Sequence, residues 1–376
     1  MKGLSPVGGE RMFSHNGKIS SRQVMILLVL TMLNMNLLIL PRITVSYGGR
    51  DGYILPLLSI IIGVILVFII TSLTVKFPEK TFVEMSKELL PNWIAYILIL
   101  IFALEFIIGT AFELRMFCEL VHRQLLPDTP IEAIMILMLL CVAYLIKSGI
   151  EAIGRMGEML NYFIIIPLAI ILVIAAFKVD YRQLLPFMHG KGVEMLQGSC
   201  IIGYIFIPLQ FLLMLTGLMR EPKQVKKVSY VVVIIVGIIA GILTLFTISQ
   251  IGETEVMRQI WPVLGFMKSV GIDNSTVENQ QVFVMIIWLF SVFTFISLGI
   301  YFCSLLGSRT FKFKRENILV LPLIPIIYFI AITMPNLATA FDWYLKFQFY
   351  CGWIFTLVVP IILLIIAKIR KVGANG

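Results

Sequence analysis

Charge is what this sequence has least of. Only 14% of its 376 residues are Asp, Glu, Lys or Arg, while 59% are hydrophobic. Soluble domains carry roughly a quarter charged residues. With a mean hydropathy of +0.99, a water-soluble fold of this length could not hide its apolar surface, so the lipid bilayer is its natural solvent. Histidine is nearly missing: His15, His122 and His189 fall in the N-terminal tail and in expected loops. Cys118, Cys141, Cys200, Cys303 and Cys351 are isolated. Neither residue type has the spacing of a metal site or a disulfide framework, and small core-filling thiols are the plain reading of the cysteines. No cofactor is expected. No nucleophile–base constellation falls inside the apolar runs, which argues against an intramembrane enzyme. A cleavable signal peptide is also missing: the first apolar run starts near Ile19, no small-residue cleavage site follows it, and it is expected to remain as a helix. The net charge of +9 would suggest nucleic acid in a soluble protein. In a membrane protein it has another use, orienting the chain, and no nucleic-acid partner is expected.

What the sequence has in quantity is long hydrophobic runs. A spanning helix needs about 20 mostly apolar residues. Ten candidates meet that need, at 20–46, 53–75, 93–120, 131–147, 159–178, 198–219, 228–250, 280–306, 317–334 and 348–368. The expected organisation is a cytoplasmic tail over 1–18, one membrane domain over 19–371 and a short C-terminal tail over 372–376. The first half of the domain covers about 19–180 and the second about 195–371. Twenty of the 30 Lys and Arg residues fall on one side, in both tails and in the connections after the second, fourth, sixth and eighth spans. The positive-inside rule then places both termini in the cytoplasm. The outward connection over 250–279 is the longest, holds Ile260-Trp261-Pro262 and Asp273-Asn274, and suits a short surface helix or a partner contact.

Two spans carry interruptions. The first reads Leu33-Asn34-Met35-Asn36-Leu37, with Pro41 further on. Amides in hydrocarbon are costly without partners, Asn is a poor helix former, and proline removes a backbone donor. The run fits a locally unwound helix facing a ligand, or an ordinary span whose asparagines bond to neighbouring helices. The sixth span holds Gly203, Pro208 and Gln210. Broken helices five spans apart point to two five-helix halves of inverted topology, with a site near the bilayer midplane.

The third span buries charge. Glu105 and Glu113 are eight residues apart, so they lie within about 80° of each other around a helix, and intramembrane carboxyls mark function by default. Proton coupling, a water-lined path and a ligand amine all suit them. Together with Gln210 they form a candidate ion or water path. Glu113 and Arg115 are candidates for pairing with each other or with neighbours, or for a wetted outer helix end. The eighth span has Ser291, Thr294 and Ser297 at spacings of three, which fits a hydroxyl-lined wall or helix packing through small polar residues.

Several stretches together resemble one family. They are Ile19-Ser20-Ser21-Arg22-Gln23, Leu38-Ile39-Leu40-Pro41-Arg42, Gly49-Arg50-Asp51-Gly52, Glu113-Leu114-Arg115, Leu126-Pro127-Asp128-Thr129-Pro130-Ile131, Gly149-Ile150-Glu151-Ala152-Ile153-Gly154-Arg155 and Ile260-Trp261-Pro262. The chain resembles the spore germination permeases, the B subunits of endospore germinant (Ger) receptors, within the amino acid–polyamine–organocation (APC) superfamily. That resemblance implies an all-α polytopic membrane protein of ten transmembrane helices, a five-plus-five inverted repeat of the APC/LeuT-like kind with helices 1 and 6 broken. It implies a nutrient germinant-sensing subunit that binds a small molecule, an amino acid, at the midplane to trigger germination. The ligand-binding residues it implies are Asn34, Met35, Asn36 and Leu37 in the first span and Gly109, Phe112 and Glu113 in the third. Phe206, Ile207 and Pro208 in the sixth and Thr294 in the eighth complete them. It also implies an A-type membrane subunit and a C-type lipoprotein as partners, in the inner membrane of the spore. An H⁺- or Na⁺-coupled amino acid transporter is the alternative on the same fold. The sequence departs from the family where Asn34-Met35-Asn36 replaces the usual Gly-x-Gly, and where Ile207-Pro208-Leu209-Gln210 replaces a small-residue stretch with an acidic neighbour. Glycines let a ligand approach the backbone closely; with asparagines, either side-chain amides take over that role or the pocket is smaller.

Overall fold

A computed structural model describes residues 17–185, 192–269 and 280–371. The side chains of Met35, Asn36, 280–284, 286 and 287 lie outside the described residues, as do the Asp273-Asn274 segment and the two terminal tails. Among the described residues the chain is almost wholly helical. One isolated bridge, Ile19 to Met219, is the exception.

The first helices are α1 (Ser21–Met32), α2 (Met35–Gly48), α3 (Ile54–Thr74), α4 (Phe82–Leu89) and α5 (Asn92–Gln124). They are followed by α6 (Ile131–Ile146), α7 (Ile150–Lys178), α8 (Gly192–Ile202), α9 (Leu212–Leu215) and α10 (Val225–Arg258). The last are α11 (Pro262–Ser269), α12 (Gln280–Phe311), α13 (Val320–Ile332), α14 (Leu337–Tyr350) and α15 (Val359–Ile369). Among the described residues, seven helical stretches are long and apolar enough to cross a membrane, and α1, α6 and α13 are shorter apolar helices. The outer faces are apolar too: Ile61, Phe68, Leu100, Leu137, Phe177 and Ile365 are all exposed. In water such a belt would be a liability; in a bilayer it is the matching surface.

Local chemistry sets several boundaries. Ser20 caps α1 in a reciprocal capping box with Gln23, and Thr81 and Glu84 do the same for α4. Ahead of α1, the Ile19 N–H donates to Leu218 O and the Arg220 N–H donates to Ile19 O, both at 2.9 Å. That bridge ties the start of the first span to the chain after α9. On the other side of α1, Gly154 and Gly157 of α7 let it approach closely; a Cβ at Gly157 would stand 2.9 Å from Leu27 Cδ2. In α10 the helix kinks at Gly252, whose φ of 77° is open to glycine.

Several boundaries differ from the sequence reading. The interruption in the first span covers Leu33 and Asn34 alone, and helix resumes at Met35. So Met35, Asn36 and Leu37 are helical rather than unwound. The Asn34 carbonyl accepts the Leu37 N–H at 3.2 Å, which closes the first turn of the resumed helix. In the sixth span the chain does not unwind but tightens, with 3₁₀ winding over Gly203–Phe211. Pro208 lacks an N–H and its ring crowds the preceding turn, and a 3₁₀ turn is a common accommodation. The fifth span begins at Ile150, not 159. The last begins far earlier than 348, because α14 starts at Leu337 on its Asn336 cap.

α5 is the central post. Its 33 residues rise about 50 Å, and it packs against α12, α13, α14 and α4. α1 packs on α7, α10 and α12, and α2 packs on α10, α8 and α11. The α1–α2 junction therefore sits beside α5.

Candidate functional site

The junction places Asn34 with no exposed surface. Its Nδ2 donates to Glu113 Oε1 of α5 at 2.8 Å. Tyr344 Oη of α14 donates to the same oxygen, also at 2.8 Å, and Tyr344 hydrogen-bonds Gln348 one turn along. From α12 the Trp288 indole Nε1 donates to the Asn34 carbonyl at 3.2 Å. Glu113 is wholly buried, and its second oxygen, Oε2, has no hydrogen-bond partner among the described residues. A buried carboxyl oxygen left bare is expensive, and such an exception to satisfied burial asks for an explanation.

Two turns down α5, Glu105 is 7% exposed. Gln210, on the 3₁₀ segment, hydrogen-bonds its carboxyl. Between the two carboxyls, Gly109 faces the Phe347 ring, with 3.4 Å from a notional Cβ to the ring. A cavity of about 20 Å³ lies here, lined by Glu105, Gly109, Ile207, Pro208, Gln210 and Gln348 among others. Phe112 stacks near Tyr344 and Phe347, with ring centroids 6.1 and 5.4 Å away.

Of the residues singled out from sequence, the fold brings Asn34 to Glu113, and brings Glu105, Gly109, Ile207, Pro208 and Gln210 around the cavity. Phe112 adjoins both groups through Tyr344 and Phe347. Phe206 points elsewhere: its ring packs against Gly63 of α3. Thr294 is buried and bonds back to Phe290 O within its own helix at 2.8 Å, and Ser297 does the same to Phe293 O at 2.7 Å. The hydroxyl stripe of α12 is therefore spent within its own helix at these two positions. Leu37 is a buried core residue. Glu113 and Arg115 do not pair; Arg115 bonds Glu119 at 2.7 Å, and Arg123 bonds the other oxygen of Glu119 at 3.2 Å. Residues two apart on a helix stand about 200° apart, so Glu113 and Arg115 serve different neighbours. Neither end of this helix wets Glu113. Among the described residues no cluster of His, Cys, Asp and Glu could hold a metal ion.

Tyr344, Gln348, Trp288 and Thr110 are missing from the sequence reading. Tyr344 and Gln348 are four residues apart and share a face of α14. That spacing was the available signal, masked by Asp342 and Lys346, which pair with each other at 2.7 Å on the exposed side.

A family model described as Spore germination protein matches residues 18–339. The chain belongs to the spore germination permease family. This permease is 29% identical to the spore germination protein YndE of Bacillus subtilis (strain 168), over 96% of this chain and 99% of that one. It is 25% identical to spore germination protein A2 of the same organism, over 94% of this chain and 96% of the relative. Spore germination protein GerLB of Bacillus cereus is 24% identical over 95% of this chain and 96% of its own length. Among solved structures, the permease resembles Mhp1, a nucleobase-cation-symport-1 family transporter in a closed conformation with bromovinylhydantoin bound. The TM-score is 0.67 at 12% identity, covering 90% of this chain and 78% of Mhp1. The permease is thus an integral membrane protein with a transporter-like helical fold.

Proposed function

We propose that this permease is the nutrient-sensing subunit of a spore germination receptor, binding a small molecule between α1–α2, α5 and the Gly203–Phe211 segment. The observation that carries this reading is the Asn34–Glu113–Tyr344 cluster. It joins a helix interruption to a buried carboxyl with one bare oxygen. A bound ligand that favours one arrangement of this cluster shifts a conformational equilibrium that partner subunits read. In this proposal the seven long stretches and three shorter helices form ten spans in one membrane domain over 19–371. The domain is an inverted repeat of five and five, with the first and sixth spans discontinuous. Both termini lie in the cytoplasm, the membrane is the inner membrane of the spore, and the partners are an A-type membrane subunit and a C-type lipoprotein. An amino acid is the germinant class that the family resemblance favours. Glu105, Gln210 and Glu113 form the polar path through the middle.

The Mhp1-like fold favours a second reading, an amino acid transporter coupled to H⁺ or Na⁺, since one fold serves both activities. Reconstitution separates the two. The purified chain in liposomes is expected to bind nutrient without concentrative uptake under an imposed proton or sodium gradient, and to co-purify with an A-type subunit. Robust uptake without partners would establish the transporter instead. In spores, Glu113→Gln is expected to impair the germination response while the protein still reaches the membrane. An undiminished response would remove Glu113 from the site.

A further inference from the structure

The nine consecutive residues Gly203–Phe211 wind as 3₁₀ helix. Runs longer than about four residues are uncommon, because the hydrogen bonds are poorly aligned. Pro208 accounts for one turn of the segment and not for the rest, so packing must hold the others. In this winding, side chains three apart stand one above the other. Tyr204, Ile207 and Gln210 form one such row, and each has a partner on α5 or on the last helical stretch, Leu337–Ile369. Tyr204 packs on Phe349 of α14, with ring centroids 5.8 Å apart. Ile207 fills a notch at Gly352, where a Cβ would stand 2.4 Å from Ile207 Cδ1. Gln210 reaches the Glu105 carboxyl. The neighbouring row turns away, with Phe206 on Gly63 of α3. An α winding would spread Tyr204 and Gln210 about 120° apart, and the row could not keep its partners.

The other side of the contact is irregular too. Between α14 and α15 the helix widens into a π turn over Ile354–Val358, a rare winding frequent at functional sites. It carries the wholly buried Thr356, whose hydroxyl donates to Ile207 O at 3.0 Å and to Gly352 O at 2.9 Å. A glycine notch and a hydroxyl thus grip one residue in the middle of the 3₁₀ row. The same two stretches wall the cavity beside Glu105, with Ile207, Pro208 and Gln210 from one and Phe347 and Gln348 from the other. At about 20 Å³ that cavity holds a group the size of a water molecule. The described conformation is therefore the unliganded one, and a nutrient must part these walls. We propose that Gly352 and Thr356 are positioning residues that key the Gly203–Phe211 segment in its 3₁₀ winding, and that ligand entry releases the key, so that the segment rewinds toward α and Gln210 leaves Glu105. This rests on the reading of the chain as a small-molecule sensor. Rewinding shortens the segment by about 4–5 Å, a movement that partner subunits can read. Contacts made only in the unliganded state oppose the response, so weakening the key favours it.

The test compares Thr356→Val, which replaces the hydroxyl by a methyl of similar shape, with Thr356→Ser, which keeps it. Hydrogen exchange of the full chain in lipid nanodiscs reads the opening of the segment. Loss of one interhelical hydrogen bond of average strength should speed exchange across Gly203–Phe211 about threefold in the Val variant. Amides of α6 and α7 should keep their native rates, and the Ser variant should match the native chain throughout. In spores, the Val variant should respond at about threefold lower concentrations of a mixture of the common amino acids, or of sugars or nucleosides if the native chain senses those. Gly352→Ala, which crowds Ile207, should act in the same direction and carries the test if the Val variant does not fold. Native exchange in the Val variant overturns the proposal, as does a Ser variant that behaves like Val, or exchange that rises equally in every helix. So does a weaker response in the Val variant at native protein levels, which is what a merely structural loss would give. If the native chain supports no response to any of these probes, the sensing reading falls together with the ligand's part in the release, and the exchange pattern alone decides the winding key.

Discussion

Replacing Tyr344 with Phe removes one oxygen from the centre of the molecule and leaves its shape unchanged. That oxygen donates to Glu113 Oε1 at 2.8 Å and also bonds Gln348. Two scales bound the cost. Hydrogen bonds to charged groups in proteins contribute about 1.5–3 kcal/mol. Couplings between membrane helices average about 0.6 kcal/mol and reach about 1.7, because helices separated in lipid find other partners. The second scale has the right reference state, and burial places this bond at its upper end. Glu113 has no exposed surface, its Oε2 is already bare, and after the substitution only Asn34 Nδ2 at 2.8 Å remains. The expected loss is about 1–1.7 kcal/mol, measured by reversible unfolding in mixed micelles and followed by circular dichroism. Glu113→Leu alone has no predictable sign, since it deletes a good hydrogen bond and an orphaned oxygen together. The coupling between the two substitutions is predictable, at about 1 kcal/mol. A coupling below about 0.3 kcal/mol would refute the claim that Tyr344 holds the carboxyl.

Three further outcomes are expected. Trp288→Phe deletes the indole donor to Asn34 O at 3.2 Å; it should cost about 0.5–1.5 kcal/mol and quicken hydrogen exchange at the Leu37 amide, and unchanged exchange there would mean that Trp288 does not hold the interruption. Gly157→Leu drives side-chain atoms into Leu27, which a bare Cβ would already approach at 2.9 Å; the overpacking should cost about 1–3 kcal/mol, and Leu27→Ala in the same chain should recover part of it if this contact is the cause. The hydrogen bond and charge of Lys18 hold the Glu79 carboxyl below its ordinary value of 4.5, so this exposed pair steadies the N-terminal bridge above that value and loses its effect as pH falls through the depressed one. Exchange at the Ile19 amide should therefore be faster in Glu79→Gln than in the native chain at neutral pH, with the two converging in acid; a difference that persists in acid would show another cause.

Much of the fold was legible because the bilayer imposes simple rules on sequence. Low charge and long apolar runs gave the membrane class and the approximate places of most helices. Within the site, Asn34, Glu105, Glu113 and Gln210 stood out because each is polar in an apolar run, and the fold buries all four. What remained hidden depended on direction. Phe206 has the same neighbours in sequence as Ile207 and Pro208, yet its ring turns to Gly63, and only the 3₁₀ winding decides that. The hydroxyls of Thr294 and Ser297 looked available but bond to carbonyls four residues back, a habit of Ser and Thr in helices that removes them from lining a site. The start of α14 lies ahead of the apolar run at 348–368, where Asp342 and Lys346 interrupt the hydrophobic pattern. Those charges lie on its exposed face, while Tyr344 and Gln348 lie on its buried one.

Asn34 has two roles, and that links the site to the helix interruption. Its carbonyl accepts the Leu37 N–H, which starts α2, and the Trp288 indole. Its side chain reaches across to Glu113. A glycine at this position would supply the backbone kink without any tie to α5. With asparagine, any movement of Glu113 toward a ligand pulls on the residue that sets where the helix restarts. Tyr344 shares the same carboxyl oxygen and reaches Gln348 on the cavity wall, so the tie runs on to the cavity beside Glu105. Under the proposed reading, a ligand that moves α14 away from α5 loosens Tyr344 from Glu113 and leaves Asn34 as the remaining partner of that carboxyl oxygen. The helix interruption then becomes the element that responds. Asn34→Gly should therefore leave ligand binding within about threefold of native while abolishing the germination response. Loss of binding and response together would instead make Asn34 a ligand contact and nothing more.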